Sequence, residues 1–161
     1  MIRKPYEVII IGSGATGGMA ALTMARAGVR VLVIERGPEL ELKKAIGTEP
    51  CNLMRRLTGI ATGKYHSQPQ HPGFWKSNPL LYAEKKINPY TFPSKAPFLW
   101  TQGNQVGGRS LTWGGITLRL AKEDFEASKN KGYKLQWPIN YNDLANHYSE
   151  IESFLKVHGN K

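Results

Sequence analysis

Cysteine is nearly missing from this sequence, and Cys51 is the only one. That excludes an internal disulfide and weighs against a thiolate metal cluster or a redox Cys-x-x-x-x-Cys pair, so Cys51 reads as a free thiol. Long apolar runs are missing too. None approaches the ~20 residues of a membrane-spanning helix. The N-terminus, Met1-Ile-Arg-Lys-Pro-Tyr6, enters an apolar stretch that reads as a strand, with nothing resembling a cleavage site after it. The expectation is no transmembrane segment and a cytoplasmic location. Acidic residues are scarce in the middle, where Glu84 alone faces seven basic residues between 63 and 120. The formal charge of +10 is carried as +4 over residues 1–62, +6 over 63–120 and zero over 121–161. No basic run exceeds two residues and no nucleic-acid motif accompanies them, so nucleic acid is not expected as a partner. An anionic cofactor accounts for part of the excess. Histidines number four. His66 and His71 are five apart with no third ligand of the right type nearby, and read as surface loop residues rather than a metal site. His147 and His158 read as residues of a helix surface and a C-terminal turn.

What is abundant is glycine, in two clusters. The first follows the apolar run Val8-Ile-Ile-Ile11 and reads Gly12-x-Gly14-x-x-Gly17-Gly18. A buried strand running into this spacing and then into a helix is the context a dinucleotide fingerprint requires. Gly12 permits the tight turn, Gly14 lets backbone approach a pyrophosphate, and Gly17 lets helix pack on strand. Residues 15–27 carry Ala15, Met19 and Leu22 at helical spacing. Gly28 closes that helix, and Val29–Ile34 supplies a second strand. Glu35, 18 residues after Gly17, ends the strand where a carboxylate accepts hydrogen bonds from ribose hydroxyls and repels a 2′-phosphate. The alternative is a glycine-rich turn of some other α/β protein.

Arg36-Gly37-Pro38 closes this βαβ unit, which spans residues 1–37. The pattern from Glu39 to Gly63 predicts one or two short helices. Residues 64–100 hold six of the ten prolines (Pro69, Pro72, Pro79, Pro89, Pro93, Pro97), interleaved with aromatics such as Phe74, Trp75 and Trp100. Proline at this density forbids long helices and central strands, and the aromatics argue against disorder. A long ordered excursion is expected. The second glycine cluster, Gly103-Asn-Gln-Val-Gly-Gly-Arg-Ser-Leu-Thr-Trp-Gly-Gly115 in a loop over 103–120, again allows close backbone approach, and Ser110 can donate to a phosphate or ribityl oxygen. A short helix is expected over Lys122–Ser128. A longer one is opened by Asn142-Asp143 and runs over 142–158, with Leu144, Tyr148, Ile151 and Leu155 on its apolar face and Gly159 as its stop.

Three separated signatures resemble the glucose–methanol–choline (GMC) family of FAD-dependent oxidoreductases: the first cluster with Glu35-Arg36-Gly37; the second with Arg119; and Trp137-Pro-Ile-x-Tyr-x-Asp-Leu144 with Tyr148, Glu152 and Gly159. The third is similar to its sugar- and polyol-oxidising branches. The resemblance implies an α/β, Rossmann-like FAD/NAD(P)-binding domain with a long irregular flavin-covering segment and a C-terminal helix. It also implies hydride transfer from CH–OH groups of a small-molecule sugar, polyol or other alcohol. By the same resemblance Gly12, Ser13, Gly14, Ala15, Thr16 and Gly17 hold the FAD diphosphate, and Glu35 with Arg36 the adenosine ribose. Gly107, Gly108 and Ser110 line the diphosphate and ribityl chain, and Thr112, Trp113, Gly114 and Gly115 run along the flavin ring. Where a pyranose oxidase-like branch bonds flavin to a histidine just before the tryptophan, this chain has Thr112, which implies non-covalent FAD. The alcohol oxidase-like branches place an asparagine at the position of Trp113, so that contact is not carried over. Family members continue for several hundred residues through a substrate domain and back to a catalytic histidine. On this resemblance the chain is expected to be an N-terminal portion, with no catalytic base of its own and no metal. Oxygen, a quinone or a haem partner all stay open as electron acceptor. So do a binding module without turnover and another class of FAD/NAD Rossmann oxidoreductase.

Overall fold

In the computed structural model of the chain, the structure describes residues 4–65, 68–70, 74, 78–98, 103–133 and 136–159. His66, His71, Trp75 and Trp100, singled out above, lie outside the described residues. The chain divides into two compact units, Met1–Trp113 and Gly114–Lys161. Mixed α and β elements with a small parallel sheet bear out the α/β, Rossmann-like fold class.

The first unit opens with β1 (Val8–Ile11), α1 (Ala15–Arg26) and β2 (Val31–Ile34). The β-branched runs favour extended backbone. Joining two parallel strands needs a crossover, which α1 supplies. The register pairs Val8 with Val31 and Ile11 with Ile34. β2 begins two residues later than the sequence suggests, because the Val29 N–H still bonds the Met24 carbonyl at the end of α1 (3.0 Å). One expectation fails. β1 is not buried on both faces: Ile10 meets α1, but Ile9 is 60% and Ile11 87% exposed. The reason is the period of two along a strand: side chains alternate faces, and only one face has a helix on it.

The stretch from Glu39 to Gly63 forms two helices, α2 (Leu42–Ile46) and α3 (Glu49–Ala61). Pro50 sits in the first turn of α3, where its missing N–H costs nothing. Among its described residues the proline-rich excursion forms short 3-10 turns, at Gln68–Gln70 and Pro79–Leu81, and an isolated antiparallel bridge from Tyr82 to Gly103, with no long helix, as its composition predicts. It packs on α2 and α3 as a core that is half polar. The Tyr65 ring fills the space left by Gly59 and meets Phe74 edge-on at 5.8 Å. Asn78, buried, donates to the carbonyls of Lys44 (2.6 Å) and Ala45 (2.9 Å), and Gln68 donates to Tyr82 (3.1 Å). These side chains satisfy backbone carbonyls that burial would otherwise leave unpaired.

The second unit holds α4 (Lys122–Asn130) and α5 (Tyr141–Leu155). Phe125 is buried edge-on between Trp137 (5.6 Å) and Tyr141 (6.5 Å). Arg119 makes a two-pronged bond to Glu152 (2.7 and 2.6 Å) and reaches Ser149 (3.1 Å) and Tyr141 (3.3 Å), tying the strand-like segment before α4 to α5. These bonds hold the Arg119 pKa above, and the Glu152 pKa below, the usual range. Both ends of α5 differ from expectation. The cap is Asn140, whose side-chain oxygen accepts from the Asn142 (2.8 Å) and Asp143 (3.4 Å) amides, while Asp143 reaches back to the Asn140 amide (2.8 Å). The helix ends at Leu155 rather than Gly159, because Lys156 turns left-handed (φ +54°) and the Val157 amide closes on Glu152 (2.9 Å). Of its predicted apolar face, Leu144 and Tyr148 are half-buried, whereas Ile151 and Leu155 are more exposed, at 38% and 48%.

Candidate cofactor site

The site begins at the turn from β1 into α1. Gly12 has φ +92°, a conformation a side chain resists, and its N–H bonds Ile34 (2.7 Å), so the turn stays joined to β2. A Cβ at Gly17 would run into the Gly12 carbonyl, whereas one at Gly12 or Gly14 would meet nothing within 4 Å. The helix is therefore pressed against the turn while the space over the turn stays open. Ala15 and Thr16 are exposed in the first turn of α1. That turn has no side-chain cap and no acid, in contrast to α5, which has both. Its unpaired N–H groups and the positive end of the helix dipole thus await an anion. These features fit a dinucleotide diphosphate.

Glu35 faces the same turn from the end of β2. Its Oε2 accepts from the Ser13 hydroxyl (2.6 Å) and the Ser13 amide (2.8 Å), and its Oε1 from the Gly37 amide (2.7 Å). The Ser13 hydroxyl bond, then the Gly37 and Ser13 amides, lower its pKa to about 2, so the carboxylate is charged at neutral pH. A charged carboxylate at this place can accept from a ribose hydroxyl. Arg36, beside it, donates through Nε to Asn104 (2.9 Å).

The second glycine cluster docks directly on the first. The Gly107 amide donates to the Ser13 hydroxyl oxygen (3.0 Å), and a Cβ at Gly108 would sit 3.4 Å from the Gly14 Cα. On the other side, the Val106 amide bonds Pro38 (3.0 Å), and Gly37 lies so close to Gln105 that a Cβ would come within 2.5 Å of its backbone. Gly107 and Gly108 both have positive φ (+88° and +52°), which lets the loop make this turn. Ser110 spends its hydroxyl proton on the Gly107 carbonyl, inside the turn, and Thr112 Oγ1 bonds Arg109 (3.3 Å). Trp113 is half exposed (49%). The structure therefore gathers Gly12 to Gly17, Glu35, Arg36, Gly107 and Gly108 around one turn. Gly114 and Gly115 begin the second unit, with open space around each. Asn104 and Gln105 went unremarked in the sequence. Gln105 is almost wholly buried; its Nε2 donates to Gly108 (2.7 Å), while its Oε1 has no partner among the described residues. The one sequence signal for it was its place among glycines that pack too closely for solvent.

Residues 5–62 match the family described as FAD binding domain. FAD is the cofactor. Similar proteins extend the comparison over nearly the whole FAD-binding chain. Paromamine 6′-oxidase of Streptomyces fradiae is 28% identical over 159 residues, 97% of this chain and 24% of that protein. 2-Methyl-1,2-propanediol dehydrogenase of Mycolicibacterium austroafricanum is 24% identical over 166 residues, 95% of this chain and 25% of that protein. The fructose dehydrogenase large subunit of Gluconobacter japonicus is 21% identical over 154 residues, 95% of this chain and 27% of that protein. The chain thus spans about a quarter of the length of these relatives. The domain match and the relatives together bear out the resemblance, drawn from the motifs, to GMC-like sugar and polyol oxidoreductases. Among the described residues no helix is long and apolar enough to cross a membrane, and no cluster of three metal-ligating side chains occurs.

Proposed function

We propose that this chain is the FAD-binding part of a GMC-type oxidoreductase acting on a CH–OH group of a sugar, polyol or other alcohol. The observation that carries the reading is the docking of the second glycine loop on the Gly12–Gly17 turn. Two backbone-lined surfaces thereby meet beside the charged Glu35. Gly12, Ser13, Gly14, Ala15, Thr16 and Gly17 would hold the diphosphate by amides and helix dipole. Glu35, beside Arg36, would take a ribose hydroxyl. Gly107, Gly108, Ser110, Thr112, Trp113, Gly114 and Gly115 would serve the remainder of the cofactor. When bound, FAD supplies the hydride acceptor, and the protein's share is orientation and electrostatics. The substrate class rests on relatives whose names specify paromamine, 2-methyl-1,2-propanediol and fructose. Thr112 offers no imidazole for a histidyl–flavin bond, so the cofactor is dissociable in this proposal.

The test is an absorbance spectrum of the purified chain after incubation with FAD and desalting, repeated after acid precipitation. Flavin retained on desalting and released by acid is the expected result. Flavin in the acid pellet would refute non-covalent binding, and flavin lost on desalting would refute a self-sufficient site. A second reading is an FAD-binding module without turnover of its own. Bleaching of bound flavin by added alcohols under anaerobic conditions would rule that reading out.

A further inference from the structure

Ser13 stands between the two glycine loops, and its hydrogen bonds have only one consistent direction. The Gly107 amide can only donate, so the Ser13 oxygen accepts there (3.0 Å). Its own proton must then go to Glu35 Oε2 (2.6 Å), which as a carboxylate can only accept. The Ser13 amide reinforces the same carboxylate oxygen (2.8 Å), and the Gly37 amide holds the other (2.7 Å). One side chain thus links the end of β2, the turn before α1 and a loop 94 residues away. The loop's other ties run to the segment after β2 and not to the Gly12–Gly17 turn: the Val106 amide donates to the Pro38 carbonyl (3.0 Å), and Arg36 Nε to Asn104 Oδ1 (2.9 Å).

From this we infer that Ser13 is a positioning residue for FAD: its hydroxyl locks the Gly107–Gly108 loop onto the diphosphate turn and so assembles both halves of the cofactor site before FAD arrives. The inference rests on the FAD-site reading above and deepens it. A loop already seated loses less freedom when the cofactor binds, which is the general route by which preorganisation raises affinity. Ser13→Ala removes both side-chain bonds and keeps the amide bond to Glu35. Ser13→Thr keeps the hydroxyl.

The experiment compares the full chain with these two variants. Hydrogen exchange is followed at the Gly107 amide without FAD, and FAD affinity by flavin fluorescence. Exchange in α1 and α5 reports whether each variant is folded. Gly107 is expected to exchange at least tenfold faster in Ser13→Ala, with α1 and α5 unchanged, and to return towards the parent rate in Ser13→Thr. FAD affinity is expected to fall about tenfold in Ser13→Ala and to recover in Ser13→Thr. Unchanged Gly107 exchange in a folded Ser13→Ala chain overturns the inference. So does equal loss of FAD affinity in both variants when Ser13→Thr keeps its Gly107 protection. Failure of the parent chain to bind FAD, with the Gly107 effect intact, would refute the cofactor reading and leave the lock between the loops standing.

Discussion

Two neighbouring glycines of α1 give a sharp test of why the helix lies where it does. Gly17 and Gly18 are both helical, so alanine at either should gain about 0.5–1 kcal/mol from reduced freedom of the unfolded chain. Their surroundings differ. A Cβ at Gly18 would have only Ser13 O nearby, at 3.8 Å, an ordinary contact. A Cβ at Gly17 would penetrate the Gly12 carbonyl and crowd Ile10 Cγ2 at 3.3 Å. The carbonyl cannot move aside alone, because Gly12 is tied to Ile34 through its own amide. Overpacking of this kind costs about 1–3 kcal/mol. Gly18→Ala is therefore expected to stabilise the chain by about 0.5–1 kcal/mol, and Gly17→Ala to destabilise it by about 1–2 kcal/mol once the helix gain is subtracted. With a urea dependence of about 2 kcal/mol per molar, the two midpoints should lie about 1 M apart. Urea unfolding of the FAD-free chain, followed by far-UV circular dichroism, measures this. Equal midpoints would refute the claim that contact with the Gly12 carbonyl is what demands glycine at 17.

Glu35→Gln replaces two acceptor oxygens by one and turns an amide towards either Ser13 or Gly37. It should cost about 1 kcal/mol after allowance for solvent screening. Because the Glu35 pKa is lowered to about 2, its contribution is present above about pH 4.5 and lost as pH falls towards 2, so stability curves of parent and variant should converge over that interval. Asn140→Ala removes the acceptor for two amides at the start of α5 and should cost about 1 kcal/mol in thermal or urea unfolding of the second unit. Lys156→Gly relieves a left-handed residue at the end of α5 and should stabilise the same unit by about 0.5–1 kcal/mol. Arg119→Lys keeps the charge but loses the two-pronged grip on Glu152, and hydrogen exchange at Leu120 and Ala121 should quicken while the middle of α5 is unaffected.

Local signals were strong enough to read most elements. β-branched runs, glycine spacing and proline density each act over a few residues, and they marked β1, α1, the two helices after Pro38 and the unhelical excursion. They misled where the local choice was between equivalents. Asn140 and Asn142 are both good caps, and Asp143 three residues beyond Asn140 decides between them by completing a reciprocal pair of bonds. Gly159 is the better terminator by composition, yet the left-handed turn at Lys156, closed by the Val157 amide, ends α5 three residues earlier.

The chain's own residue order determined that a strand, a tight turn and a helix come together and leave amides free at the helix start, because those interactions lie within about twenty residues and depend on side-chain size and backbone freedom. It also determined a carboxylate at the end of β2. What only the tertiary structure decided is the partner of each group. Ser13 reads in the sequence only as one residue of the Gly12–Gly17 turn, and folding brings Glu35 and Gly107 to its hydroxyl. Gln105 is buried because Gly37 closes over it, a contact 68 residues apart in the chain. The exposure of Ile9 and Ile11 likewise depends on which face of the sheet a helix covers, a fact no run of apolar residues contains. Hydrogen-bond direction and close packing are properties of groups distant in sequence and adjacent in space.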